Sequence, residues 1–149
     1  MRENHNAFHR IWLRPRVMVN VKNVDTSTTM LGSRTSLPLY ITATALGKLG
    51  HAEGEVVLTK AAKNRDIIQM IPTLASCSFD EIVDAAGPDQ TQWLQLYVNG
   101  NREVSEKFVR HAESRGMKGL FITADAPQLG IVYSYTKMWG KIIVKFSGY

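Results

Sequence analysis

Of the residues in this chain, Gln95, Tyr97, Thr123 and Asp125 are the hardest to explain as packing alone. Each stands near the end of a short apolar run, where a sheet core ordinarily takes Val, Ile or Leu. Ala43-Thr44-Ala45 and Pro72-Thr73-Leu74 close two earlier runs of the same kind. In parallel βα folds the loops leaving the carboxyl ends of the strands surround one crevice, so residues at successive strand ends serve a common ligand. Buried polar groups need partners, and a heteroaromatic ring with carbonyls and ring nitrogens would supply them. Other reactive side chains offer less. The 4 histidines, His5, His9, His51 and His111, have no metal-ligand spacing, so no structural metal is expected. Cys77 is the single cysteine, sits among Ala75-Ser76-Cys77-Ser78 with no base beside it, and reads as a packed thiol outside any internal disulfide.

These strand ends need elements to position them. From Leu37 onward, short β-rich runs alternate with stretches of helical period, the pattern of βα units around a parallel sheet. Strands are expected at about 37–43, 67–71, 93–98 and 120–124, with helices at about 53–64, 78–86 and 102–115. The second helix is the best marked. Ser78 and Glu81 form a capping box, Phe79, Ile82, Val83 and Ala86 make the apolar stripe, and Gly87-Pro88 ends it. In the third, Asn101 is the expected N-cap, Val104, Phe108, Val109 and Ala112 the buried face, and Gly116 the C-terminal cap. Ahead of the βα region, Val17, Val19 and Val21 alternate strictly, which predicts a strand or hairpin within residues 1–36. After Gly130 the pattern changes, and 131–149 reads as a divergent tail with a β-hairpin.

Composition narrows the class. With 149 residues and 44% hydrophobic content, the chain can bury one core and is neither disordered nor of low complexity. A net charge of +5 raises the question of an anionic partner. Arg2, Arg10, Arg14, Arg16 and Lys22 crowd the first segment but belong to no nucleic-acid-binding motif, so a solvated or interface-forming arm is the expected reading. No apolar run approaches the ~20 residues of a membrane span, and no targeting signal is legible.

The strings Glu3-Asn4-His5-Asn6-Ala7-Phe8, Leu31-Gly32-Ser33, Thr42-Ala43-Thr44-Ala45, Gln95-Leu96-Tyr97-Val98 and Thr123-Ala124-Asp125-Ala126-Pro127 stand in one order along 2–130. Over that span the chain resembles the FMN-dependent 2-hydroxy-acid dehydrogenases. His5, Tyr40, Leu46-Gly47-Lys48-Leu49-Gly50 and Leu74-Ala75-Ser76-Cys77-Ser78 tilt the resemblance toward the L-lactate dehydrogenase flavocytochromes over glycolate oxidase. It implies an α/β fold: part of a TIM (β/α)8 barrel, about four of the eight strands, over 1–130 behind an N-terminal β segment. It also implies FMN as cofactor, a small 2-hydroxy acid as substrate, and a haem protein or oxygen as electron acceptor. Ala43-Thr44-Ala45 would run beside the flavin ring, and Gln95 and Thr123 would hydrogen-bond its edge. Tyr97 would meet the substrate's carboxyl or hydroxyl end, Ala45 and Leu74 would line its side-chain pocket, and Asp125 would orient a catalytic histidine. The alternatives are Thr44 as a plain strand residue, Tyr97 as a core tyrosine and Asp125 as an ordinary loop Asp. Mitochondrial residence follows from the flavocytochrome branch alone.

The departures count as well. Pro72 stands where the resemblance implies a serine, and Ile131-Val132 where it implies a substrate arginine. The catalytic histidine, the flavin lysine, the second substrate arginine and the phosphate-holding loops have no counterpart in this sequence. The expectation is therefore a truncated half-barrel, inactive alone and weak toward FMN. Three lost contacts at roughly 1.5–3 kcal/mol each amount to some three or more orders of magnitude in affinity. Open sheet edges add an alternative: a non-catalytic protein that pairs with itself or with a full-length homologue.

Overall fold

A computed structural model describes residues 2–124 and 143–144. A short helix α1 (Arg2–Asn6) and a 3-10 turn (Ala7–Arg10) precede an extended stretch. An antiparallel pair follows, β1 (Thr28–Met30) with β2 (Ser33–Thr35), in the register Thr28 to Thr35. The turn residues Leu31 and Gly32 both have positive φ, 49° and 78°, the backbone of a tight two-residue hairpin whose twist matches its strands. The expected N-terminal β segment therefore exists, but Val17, Val19 and Val21 are not in it. They are 78%, 54% and 73% exposed, because alternation builds a strand only where a partner supplies the ladder hydrogen bonds.

The main sheet has the order β3-β4-β5-β6-β7, from β3 (Tyr40–Ile41), β4 (Ile68–Ile71), β5 (Gln92–Leu96), β6 (Leu120–Ile122) and β7 (Ile143–Val144). The first four strands run parallel, and β7 lies antiparallel on β6. The connections carry α2 (Glu55–Arg65), α3 (Phe79–Asp84) and α4 (Arg102–Ser114), the α/β alternation expected from the sequence. The other residues of the proposed tail hairpin lie outside those described.

Local signals explain the helices. Ser78 Oγ accepts from Glu81 N and Glu81 Oε2 accepts from Ser78 N, at 3.2 and 2.8 Å, so the capping box forms in full. Asn101 Oδ1 accepts from Glu103 N at 3.1 Å, and Gly116 at φ 81° turns the chain out of α4. Strand periodicity then divides the core between two faces. Ile71, Leu94, Leu96 and Leu120 pack against Ile82, Ala112 and the partly buried Val56, Phe79, Phe108 and Val109, which forms the helix-covered face. Ile68, Met70 and Trp93 pack with Met30, Tyr40, Ala43 and Phe121 on the other. On that second face Trp93 stacks within 5.2 Å of Tyr40 and 5.1 Å of Phe121, a rigid aromatic floor.

Candidate functional site

Two residues beyond Trp93 and Phe121 along their strands stand Gln95 and Thr123, so the alternation that lays the aromatic floor also sets a polar row above it. Gln95 is 8% exposed and its amide is held at both ends. Thr73 N donates to Gln95 Oε1 at 3.0 Å, and Gln95 Nε2 donates to Thr123 Oγ1 at 2.8 Å. A backbone N–H can only donate, so the carbonyl end of Gln95 must face Thr73 and its NH2 must face Thr123. Thr73 completes the row: its hydroxyl donates to Gln95 O at 2.6 Å and accepts from Tyr97 N at 2.9 Å. Strands β4, β5 and β6 are thereby cross-linked at their carboxyl ends by side chains as well as by the ladder.

This arrangement has spare donors. Gln95 Nε2 keeps a second hydrogen and Thr123 keeps its hydroxyl hydrogen, and neither has an acceptor among the described residues. The row is therefore suited to a ligand edge that accepts hydrogen bonds. Half-buried Tyr97 lies one residue past β5. Half-buried Ala43 packs on the Ile68, Met70 and Trp93 cluster, whereas Thr44 and Ala45 are exposed just beyond. Leu74, 54% exposed, lies on the neighbouring loop, where Leu46 N donates to Leu74 O at 3.3 Å. Seven of the expected site residues, Ala43, Thr44, Ala45, Leu74, Gln95, Tyr97 and Thr123, thus fall on segments joined at the carboxyl edge of the sheet. The Thr44 hydroxyl is only 3.5 Å from Thr42 O. Asp125 lies outside the described residues.

Sequence reasoning missed two residues. Thr73 was legible only as a strand end beside Pro72, yet its hydroxyl fixes Gln95 and Tyr97. Glu55 opens α2 and is fully buried, accepting from Gly47 N, Ser76 N, Ser76 Oγ and Cys77 N at 2.7, 2.9, 2.8 and 3.1 Å. Burial pushes its pKa up, but the backbone donors Ser76 and Gly47 with the Ser76 hydroxyl outweigh it and hold the carboxyl down at about 2. The available signal was an acid in a helix first turn, which reads as ordinary dipole compensation.

The other ionisable groups are engaged elsewhere. His111 Nε2 meets Asp80 Oδ1 at 2.9 Å between α4 and α3, and His5 and His9 approach to 3.2 Å on the N-terminal turn. His51 Nδ1 accepts from Glu53 N at 3.1 Å. Among the described residues no three His, Cys, Asp or Glu side chains converge as metal ligands, and no helix is long and apolar enough to cross a membrane. A cleft lined by Arg34, Lys63, Asp66 and Gln90 opens at the opposite, amino-terminal rim of the sheet, away from the polar row.

Comparison with known proteins gives the site its context. Residues 1–138 match the family model described as FMN-dependent dehydrogenase. An L-lactate dehydrogenase (cytochrome) of Wickerhamomyces anomalus is 64% identical over 130 residues, covering 87% of this chain and 23% of that protein. The human 2-hydroxyacid oxidase 1 is 41% identical over 128 residues, covering 86% and 34%. The recombinant flavin-binding domain of baker's yeast flavocytochrome b2 superposes with a TM-score of 0.82 at 50% identity, over 87% of this chain and 34% of that one. A mandelate oxidase carrying an FMN adduct gives 0.77 at 31% identity, over 85% and 38%. This chain thus spans between about a quarter and two fifths of the length of these relatives.

Proposed function

The chain belongs to the FMN-dependent dehydrogenase family, and on that premise we propose that it forms the flavin-edge and substrate-pocket part of a 2-hydroxy-acid oxidoreductase of the lactate type. One observation carries the reading: the Gln95 amide, pinned by Thr73 and Thr123, leaves donors at a single sheet edge above an aromatic floor. The residues fit FMN, because an isoalloxazine edge offers carbonyl oxygens and ring nitrogens as acceptors for the spare hydrogens of Gln95 Nε2 and Thr123 Oγ1. When bound, that group takes up the two electrons released as a 2-hydroxy acid becomes a 2-keto acid, and a haem protein or oxygen receives them afterwards.

The chain's own side chains bind and orient. Gln95, its amide fixed between Thr73 and Thr123, and the Thr123 hydroxyl would hold the ring edge as donors. The backbone of Ala43-Thr44-Ala45 would run alongside the ring. Tyr97 presents its hydroxyl to the substrate's carboxylate or hydroxyl end and stabilises charge there. Ala45 and Leu74 enclose the substrate side chain, and Asp125 orients a histidine base by accepting its ring N–H. The histidines of this sequence are engaged elsewhere, His111 with Asp80 and His5 with His9. A polypeptide of this sequence therefore lacks a base at the polar row and does not turn over by itself, and with the donors of Gln95 and Thr123 as its ring contacts it binds FMN weakly.

Quenching of FMN fluorescence tests the reading. Saturable binding weaker than about 1 µM is expected, with Gln95→Leu weakening it at least about tenfold further. Absence of saturable quenching up to about 1 mM FMN would overturn the assignment. Oxidation of L-lactate with added FMN and an artificial acceptor would overturn the inactivity. A second reading, a non-catalytic half-barrel that associates with itself or a full-length homologue, is favoured by the extended segment after α1. There Trp12, Leu13 and Met18 are 87%, 93% and 103% exposed, an apolar surface that association would cover.

A further inference from the structure

The loop after β3 and the loop after β4 are held by one carboxylate. Glu55 Oε1 accepts from Gly47 N and Ser76 N, while Oε2 accepts from Ser76 Oγ and Cys77 N. These donors satisfy the roughly four lone-pair positions of a carboxylate, so the charge is neutralised by loop dipoles in place of a cation. The fit is close: a Cβ added at Gly47 would stand 2.9 Å from Glu55 Cδ, which leaves glycine as the residue that lets the loop approach. The residue just before it is strained. Leu46 has φ 59° and ψ 42°, left-handed backbone that a non-glycine residue keeps only where its surroundings over-determine it. Two further contacts tie the loops, Leu46 N to Leu74 O at 3.3 Å and Lys48 N to Ser76 Oγ at 2.8 Å.

Leu46 follows Ala45, and Leu74 lies two residues before Ser76. We propose that Glu55 is a positioning residue: it clasps the loops that bear Ala45 and Leu74 into one conformation, and so sets the width of the substrate side-chain pocket and the path of the backbone beside the flavin. The assignment of that pocket rests on the flavin reading above; the clasp itself rests on the contacts of Glu55. Glu55→Gln keeps the shape but replaces one acceptor oxygen with an NH2 group, which faces Gly47 N and Ser76 N in one orientation and Cys77 N in the other, so donor meets donor either way and the clasp loosens.

The test uses the chain in three forms: unchanged, Glu55→Gln, and Thr59→Val. The last removes a buried hydroxyl on the same helix that donates to Gln69 Oε1 of β4 at 2.8 Å and lies 3.3 Å from Glu55 O, but leaves every contact of the Glu55 carboxylate in place, and so controls for loss of stability without loss of the clasp. Amide hydrogen exchange is read without FMN, and FMN affinity is read by fluorescence quenching. Glu55→Gln is expected to accelerate exchange at Gly47, Ser76 and Cys77 by about 100-fold relative to the β4 and β5 amides, and to weaken FMN binding by about tenfold or more. Thr59→Val leaves the loop-to-strand exchange ratio and the affinity unchanged. Retained loop protection in Glu55→Gln, equal loop opening in Thr59→Val, or opened loops with unaltered FMN affinity would overturn the proposal. Opened loops in a chain whose unchanged form never binds FMN would uphold the clasp and sink the flavin reading instead.

Discussion

Acid should unfold this protein partly through Glu55, and the size of the effect follows from its surroundings. Its carboxyl is held at about 2 in the folded chain against the usual 4.5 once the loops come apart. A depressed folded pKa means that folding favours the ionised form, so the stabilisation is complete above 4.5 and is lost as the pH falls toward 2. The difference corresponds to about 3 kcal/mol at pH 7, of which about 2 kcal/mol is gone by pH 3. Glu55 is fully buried, so solvent screening removes little of this. Glu53 and Glu81 also have lowered pKa values, through the Lys60 side chain and the Ser78 backbone respectively, so the whole protein's pH profile mixes several groups. Comparison with Glu55→Gln isolates the one of interest. Urea unfolding of both forms from pH 7 to pH 3 should give a steeper loss for the unchanged chain, by about 2 kcal/mol over the interval, or roughly 5–10 °C in thermal midpoint. Parallel pH profiles would refute the reasoning, because they would mean that the carboxylate is as well accommodated in the unfolded chain as between the loops.

Other perturbations probe other levels of the structure. Thr73→Val removes the hydroxyl shared by Gln95 O and Tyr97 N and should cost about 1–3 kcal/mol in urea unfolding, with weaker FMN quenching; Thr73→Ser should restore both. Ser78→Ala removes the α3 cap and should lower stability by about 1 kcal/mol while leaving FMN affinity unchanged, since the Ser78 side chain bonds Glu81 N and none of Thr73, Gln95 or Thr123. Replacing Trp12 and Leu13 together with serine should shift the chain toward monomer in size-exclusion chromatography with light scattering; an unchanged distribution would exclude the exposed segment as the surface of self-association.

What could be read from the sequence was what depends on neighbours in the chain. The capping box at Ser78 and Glu81 and the cap at Asn101 are local chemistry, and both formed as expected. The βα alternation is also local, and strands at Ile68–Ile71 and Gln92–Leu96 follow it within a residue or two. Gln95 and Thr123 stood out because period-two alternation put polar groups where a core wants aliphatic ones. Their pairing with each other and with Thr73 did not stand out, since Thr73 meets Gln95 across 22 positions and Gln95 meets Thr123 across 28. Glu55 was invisible for the same reason: its donors lie 8 to 22 positions away and are mostly backbone N–H groups, which leave no mark in a sequence. Val17, Val19 and Val21 show the reverse case, a local pattern that needs a partner strand the described chain does not provide.

The two faces of the sheet differ in how far their polar groups can be reached, and the difference argues for where a ligand belongs. On the helix-covered face Gln69 Oε1 accepts from Thr59 Oγ1 and Gln92 Nε2 at 2.8 and 2.9 Å, and Gln69 Nε2 donates to Glu55 O at 3.4 Å. Both ends of the Gln69 amide have protein partners, and although Gln69 Nε2 and Gln92 Nε2 each keep a second hydrogen with no acceptor among the described residues, both side chains lie buried under the helices. On the opposite face the Gln95 amide is fixed just as firmly, and its spare hydrogen and that of half-buried Thr123 stand at the carboxyl edge, beside the exposed Thr44 and Ala45. At that edge the result is a fixed row of donors within reach of a ligand. It is what a site must have if a bound ring's acceptors are to complete it.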